Sequence, residues 1–165
     1  KMNRYSEAII QVLDNFFIET IEADSVEELI NVIGKLLANE IEQQKQLKKD
    51  LLEREQKGGT LISGKGFSLI HCRTSSVKEL YFGAVRLLSP LAYFNSKEEK
   101  EEIYLAIVML APEDSQQANL EVVSEVSKML IDNPKFLMNL KDNLKDEAYL
   151  EISNCLNNFY RGKSN

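Results

Sequence analysis

Apolar residues along the chain recur at two spacings, and the spacing marks out the elements. Ile9, Ile10 and Leu13 fall at helical intervals and predict a short helix over residues 5–14. Phe16-Phe17-Ile18-Glu19-Thr20-Ile21 is dense in aromatic and β-branched side chains and predicts a strand. Ser25 stands three residues before Glu28, the spacing of a capping box, in which the hydroxyl takes one free N–H and the carboxylate reaches back for another. The helix this opens runs to about Ala38, with Leu29, Ile30, Ile33, Leu36 and Leu37 on one face. A second helix over residues 43–57 is rich in Gln, Lys, Glu and Leu, and Gly58-Gly59 stops it.

Two short apolar runs follow, Thr60-Leu61-Ile62 and Phe67-Ser68-Leu69-Ile70, with Gly64 and Gly66 marking the turn between them. Leu80–Leu88 and Ile103–Leu110 predict two more strands. The latter is almost continuously apolar, as a strand buried on both faces requires. Residues 97–102 are rich in Lys and Glu and read as solvated faces and loops. Ala111-Pro112 ends the strand, and a helix is expected from Asp114 to Ile131 with Leu120, Val123, Val126, Met129 and Leu130 inward. Asn133-Pro134 reads as an N-cap followed by Pro at the first helical position. A final helix covers residues 145–159, and Arg161–Asn165 reads as a polar tail. Strands interspersed with helices predict an α/β three-layer sandwich, a mixed central sheet of about five strands with helices on both faces.

Composition adds limits. At 165 residues the chain reads as one domain over residues 1–165, long enough to bury a core without disulfide or metal staples. A net charge of -6 argues against direct nucleic-acid contact, which needs a concentrated basic face. No apolar run approaches the roughly 20 residues that cross a bilayer, so no membrane insertion is expected. Cys72 and Cys155 form no CxxC pair, and the first residues lead into an amphipathic segment instead of a signal peptide. Both features point to a reducing cytoplasm.

The candidate chemistry centres on the only histidine, His71. It directly follows Phe67–Ile70, at the predicted end of a buried strand, where active groups of α/β sheets are often placed. An imidazole is a competent nucleophile near neutral pH, because a large fraction is uncharged there. Arg54, near the end of the second helix, is the second candidate. A hairpin could bring its guanidinium beside His71 to brace phosphate oxygens, or it could pair in solvent with Glu53 or Glu55. Arg73, Thr74, Ser75 and Ser76 add a charge and three hydroxyls just past the histidine, which could hydrogen-bond a phosphoryl group or could equally form a polar loop. Cys72 should point to the opposite face of the strand from His71 and reads as a buried, inert thiol. There is no Walker loop, no GxGxxG, and no second histidine to complete a metal site, so neither a metal nor a cofactor is expected.

The run Leu51-Leu52-Glu53-Arg54-Glu55-Gln56-Lys57-Gly58-Gly59-Thr60, followed by Ile62-Ser63-Gly64-Lys65-Gly66-Phe67-Ser68-Leu69-Ile70-His71, resembles the signature of phosphotransferase-system enzyme IIA domains of the mannitol/fructose class. The resemblance extends over nearly the whole chain. It implies that His71 is the phospho-acceptor and that Arg54 contacts the phosphoryl group, and Asn119 could still donate a hydrogen bond to it. The implied donor is HPr, itself phosphorylated on histidine, and the implied recipient is a cysteine of a IIB or IIB-like domain. Transport members of the family usually carry Pro immediately before the histidine, where this chain has Ile70. They often have a second active-site histidine after the last strand. Asn119 falls near that place and cannot carry a proton. The run Ile70-His71-Cys72-Arg73-Thr74 is more similar to IIA-like domains at the C-terminus of transcription regulators of the mannitol/mannose operon activator type. The abrupt start at Lys1 suits a domain excised from such a longer chain.

Overall fold

The computed structural model describes residues 2–58, 60–62, 64–94 and 97–164, without the side chains of residues 2, 3 and 164. Along the chain it forms α1 (Met2–Asp14), β1 (Phe17–Ile21), α2 (Val26–Leu37), α3 (Ile41–Gln56), β2 (Leu61–Ile62), β3 (Phe67–Thr74), β4 (Tyr81–Phe94), β5 (Lys100–Pro112), α4 (Gln117–Asp132), α5 (Pro134–Lys141) and α6 (Lys145–Ser164). The strands make one mixed sheet in the order β1-β4-β5-β3-β2. β1 runs parallel to β4, and β3 runs parallel to β5. The β4–β5 and β2–β3 pairs are antiparallel.

Alternation along the strands splits the core into two layers. Leu105, Ile107 and Met109 of β5 face one way, into a cluster with Ala8 and Val12 of α1, Val122 and Val126 of α4, Phe136 of α5 and Ile152 of α6. Ala106, Val108 and Leu110 face the other way, against Leu29, Ile30 and Ile33 of α2 and Leu47 and Leu51 of α3. This is the expected sandwich with helices on both faces. Its central strand is the continuously apolar one. The starts of α2 and α5 follow their sequence signals. The Ser25 hydroxyl accepts from the Glu28 N–H at 3.1 Å, and the Glu28 carboxylate accepts from the Asp24 N–H at 3.3 Å. The Asn133 side chain accepts from the Phe136 N–H at 3.1 Å, with Pro134 first in α5.

Several boundaries differ from the sequence expectation: α1 and α3 start earlier, at Met2 and Ile41, α4 starts later, at Gln117, and three differences change the fold. β3 does not end at His71 but continues to Thr74, because its parallel register with β5 runs on to Thr74 opposite Pro112. β4 and β5 extend into a long hairpin arm in which Leu91–Phe94 pair with Lys100–Ile103, beyond an irregularity between Arg86 and Leu91. Lys100, Glu101 and Glu102 are therefore strand residues and not loop. Their charges hid a strand whose ladder is set by its partner. The polar tail is helical as far as Ser164. Lys163 bonds Glu121 of α4 at 2.9 Å and lies over the rings of Tyr5 and Phe159, which anchors the last turn. Among the described residues no helix is long and apolar enough to cross a membrane.

One glycine is required by a close approach. Gly83 of β4 lies opposite Phe17 of β1, and a Cβ there would meet the Phe17 ring at 2.3 Å. Gly83→Ala is expected to lower stability by about 1–3 kcal/mol through overpacking. A urea melt showing an unchanged midpoint would contradict this.

Candidate functional site

Among the described residues β2 pairs only with the start of β3, through Leu61 opposite Ser68 and Ile62 opposite Phe67. The Leu69 N–H still reaches the Thr60 carbonyl at 2.8 Å. Past that point β3 is the sheet edge among the described residues, held on its other side by β5. His71 is half-buried on this edge, opposite Met109. Its neighbours Ile70 and Cys72 belong to the layer under α2 and α3, and alternation turns His71 to the other face with Phe67 and Leu69.

The ring has a defined tautomer. His71 Nδ1 lies 3.0 Å from the Leu69 carbonyl oxygen. A carbonyl only accepts, so Nδ1 carries the proton of the neutral ring and donates it, which leaves the lone pair on Nε2. His71 therefore presents one nucleophilic nitrogen, and the backbone of its own strand sets which one.

Two cavities share His71. One, of about 340 Å³, is lined by Asp50, Glu53, Arg54 and Lys57 from the end of α3 and by His71, Cys72 and Arg73 from β3. The other, of about 160 Å³, is mostly apolar and adds Met109, Leu110 and Ala111 of β5 with Leu120 and Val123 of α4. A larger hollow of about 560 Å³ lies between the residues that follow β3 and the end of β5, around Lys78, Glu113 and Asp114. It contains neither His71 nor Arg54. The chemistry selects the cavity of about 340 Å³, which holds both His71 and Arg54.

The structure thus brings Arg54, Arg73 and His71 to one cavity. Arg54 is half-buried, and its Nη1 donates to the Gly58 carbonyl at 2.9 Å, satisfying an acceptor beyond the end of α3. The remaining guanidinium N–H groups can serve an anion. The alternative Arg54–Glu55 pair is not formed. Glu55 instead accepts from the Thr60 hydroxyl and, at 3.0 Å, from the Tyr93 hydroxyl, tying the end of α3 to β4. Burial raises the Tyr93 phenol above its ordinary range, so it stays a donor.

Thr74 and Asn119 are placed differently. The Thr74 side chain is fully buried; its hydroxyl donates to Asp50 Oδ2 at 2.6 Å and accepts from the Ser76 N–H at 3.0 Å. Asn119 sits half-buried in the first turn of α4 and lines neither cavity, although its neighbour Leu120 does. Cys72 lines both cavities, but burial, with the Asp50 charge adding, pushes its thiol up to about 12. It is protonated at neutral pH and no competitor to the imidazole.

Sequence reasoning passed over Asp50 and Lys57. Their signal was available: Asp50 and Arg54 are four apart and Lys57 is three further on, which puts all three on one helix face. With Arg73 the cavity holds three cations against the two carboxylates Asp50 and Glu53. That balance favours an incoming anion. Among the described residues no group of three or more His, Cys, Asp or Glu side chains is arranged to hold a metal ion.

Residues 11–155 match the EIIA 2 family of the phosphoenolpyruvate-dependent sugar phosphotransferase system. The chain belongs to this family. It is a phosphoryl-accepting IIA domain. Solved structures of the same fold include nitrogen regulatory protein IIA-Ntr from Neisseria meningitidis, at 23% identity over 78% of this chain and 86% of that one, with a TM-score of 0.61. A putative phosphotransferase-system IIA from Streptococcus mutans is 15% identical over 96% of both chains, with a TM-score of 0.58. Enzyme IIA mannitol from Escherichia coli, in complex with phosphorylated enzyme IIB mannitol, is 20% identical over 84% of this chain and 93% of that one, with a TM-score of 0.54. At these identities the likeness of this IIA domain to each is one of fold. No curated protein matches the chain in sequence.

Proposed function

We propose that His71 is the phosphoryl acceptor of this IIA domain, that phospho-HPr or a related histidine-phosphorylated carrier is the donor, and that the phosphorylated state serves to switch a sugar-operon transcription regulator. The observation that carries the reading is the shared cavity. The chain's only imidazole, with its Nδ1 proton held by the Leu69 carbonyl, lines the same space as Arg54 and Arg73.

The chemistry asked of the protein is mainly positioning and charge stabilisation. The Nε2 lone pair attacks phosphorus in line with the donor's N–P bond. That bond breaks with its electron pair returning to the donor imidazole, and a new N–P bond forms on Nε2. The positive character this leaves on the His71 ring is stabilised by the Nδ1–H donated to Leu69. Arg54 and Arg73 offset the charge on the equatorial oxygens, Arg54 with the donors it does not spend on Gly58. Phosphorylation then adds about -1.5 to -2 charges at the sheet edge, which is enough to attract or repel a neighbouring domain face. The regulatory use is supported by the similarity of Ile70–Thr74 to regulator-borne IIA domains.

A second reading is relay. One structure of the same fold is a IIA domain bound to a phosphorylated IIB, and onward transfer of the group from His71 to a IIB cysteine would make this domain a sugar-uptake carrier. Rapid loss of label to a sugar-specific IIB distinguishes relay from regulation.

Incubation of the domain with phosphoenolpyruvate, enzyme I and HPr tests acceptance itself. The expected product carries one phosphoryl group that is labile in acid and stable in alkali, as a phosphoramidate is. No mass gain, or an acid-stable phosphate ester, would overturn the proposal.

A further inference from the structure

Phosphoryl transfer at His71 needs Arg54 held at a fixed place relative to β3, yet the two residues sit on different elements. The apolar contacts of Leu47 and Leu51 hold α3 against the sheet, but such contacts are non-directional. They do not by themselves fix the rotation of the helix about its axis. At the helix surface, about 5–6 Å from the axis, a rotation of about 10° moves a side chain by about 1 Å. Misplacement on that scale can cost a reaction about 100-fold.

Glu55 ties the end of α3 to Tyr93 of β4, and a second short polar tie joins the helix to β3, the strand that carries His71. Asp50 lies one turn before Arg54 on the same face of α3 and lines the same cavity. Its Oδ2 accepts from the Thr74 hydroxyl at 2.6 Å, and its Oδ1 accepts from Gln46 at 2.9 Å. Thr74 is in β3, three residues beyond His71, and is itself oriented because its hydroxyl accepts from the Ser76 N–H at 3.0 Å. A hydroxyl donating to an ionised carboxylate at this length is among the stronger neutral-to-charged bonds. The chain of contacts therefore runs from the strand that carries the histidine to the helix face that carries the arginine.

We propose that Asp50, held by Thr74, is a positioning residue that aims the Arg54 guanidinium at the phosphoryl group on His71. The proposal rests on the acceptor reading above. It gives Thr74 a part in the reaction that acts through Asp50, with the threonine's one proton committed to that carboxylate.

The test is a double-mutant cycle on single-turnover phosphoryl acceptance from phospho-HPr. Thr74→Val, which keeps the shape and removes the hydroxyl, is expected to slow acceptance by about 10- to 100-fold. Thr74→Ser, which keeps the hydroxyl, should return to within about threefold of wild type. In an Arg54→Ala background the same Thr74→Val change should alter the rate by less than about twofold, because the group it aims is gone. If Thr74→Val does not fold, Asp50→Ala takes its place in the cycle, at a helix position that favours alanine. Equal losses with and without Arg54, or a Thr74→Val rate equal to wild type, would overturn the inference and leave the acceptor reading intact. A wild-type domain that takes no phosphoryl group would overturn both.

Discussion

A His71→Ala protein is expected to take no phosphoryl group from phospho-HPr while keeping its fold. The loss should be complete, because the chain has no other imidazole and the neighbouring thiol of Cys72 is pushed up to about 12 and stays protonated at working pH. The Thr74 hydroxyl on the same strand is no substitute, because it is fully buried and bonded to Asp50. Stability should hardly change. His71 is half-buried at the sheet edge, and its one side-chain bond among the described residues is to a carbonyl two residues back on its own strand. Losing such a bond at a water-accessible edge costs about 1 kcal/mol. Intact-mass measurement with a thermal melt on the same sample separates chemistry from folding. Phosphorylation of the variant to the wild-type extent would move the acceptor elsewhere.

Arg54→Ala is expected to slow acceptance by about 10²–10³-fold, the effect of removing one preorganised donor from a developing anion, or about 2.7–4 kcal/mol of barrier. The donor's half-saturation should move much less, since the guanidinium acts on charge that spreads over the phosphoryl oxygens during transfer. Arg54→Lys should recover part of the rate, because a point charge replaces the charge but not the planar two-donor geometry. Stability should fall by only about 1 kcal/mol, through loss of the Gly58 cap. Stopped transfer followed by rapid quench reads the rate, and circular dichroism checks the fold. An Arg54→Ala domain as fast as wild type would remove this arginine from the site.

Where a local rule was sufficient, the chain could be read directly. The Ser25 and Asn133 caps, the two-sided burial of Ile103–Leu110 and the opposite orientation of Cys72 all depend on periodicity or on side chains within one turn. Arg54 and His71, singled out through the resemblance of the Glu-Arg-Glu run and the Gly-rich turn, line one cavity of the candidate site. What escaped was set by partners distant in the chain. Lys100–Glu102 form a strand because Ala92–Phe94 stand opposite them. The last turn of α6 holds because Glu121 and Tyr5 meet Lys163. Thr74 looked like a loop hydroxyl free to meet phosphate, but the continued pairing of β3 with β5 turns it inward to Asp50. Asp50 itself was one more acidic residue on a polar helix until a strand was placed beside it.

Phosphorus–nitrogen NMR on the phosphorylated domain, with nitrogen-15 in its single histidine, tests the central claim most directly. The Leu69 carbonyl holds the proton on Nδ1, so the account predicts that the phosphorus is coupled to Nε2 of His71. Coupling to Nδ1, or phosphorus attached to any other residue, would contradict it.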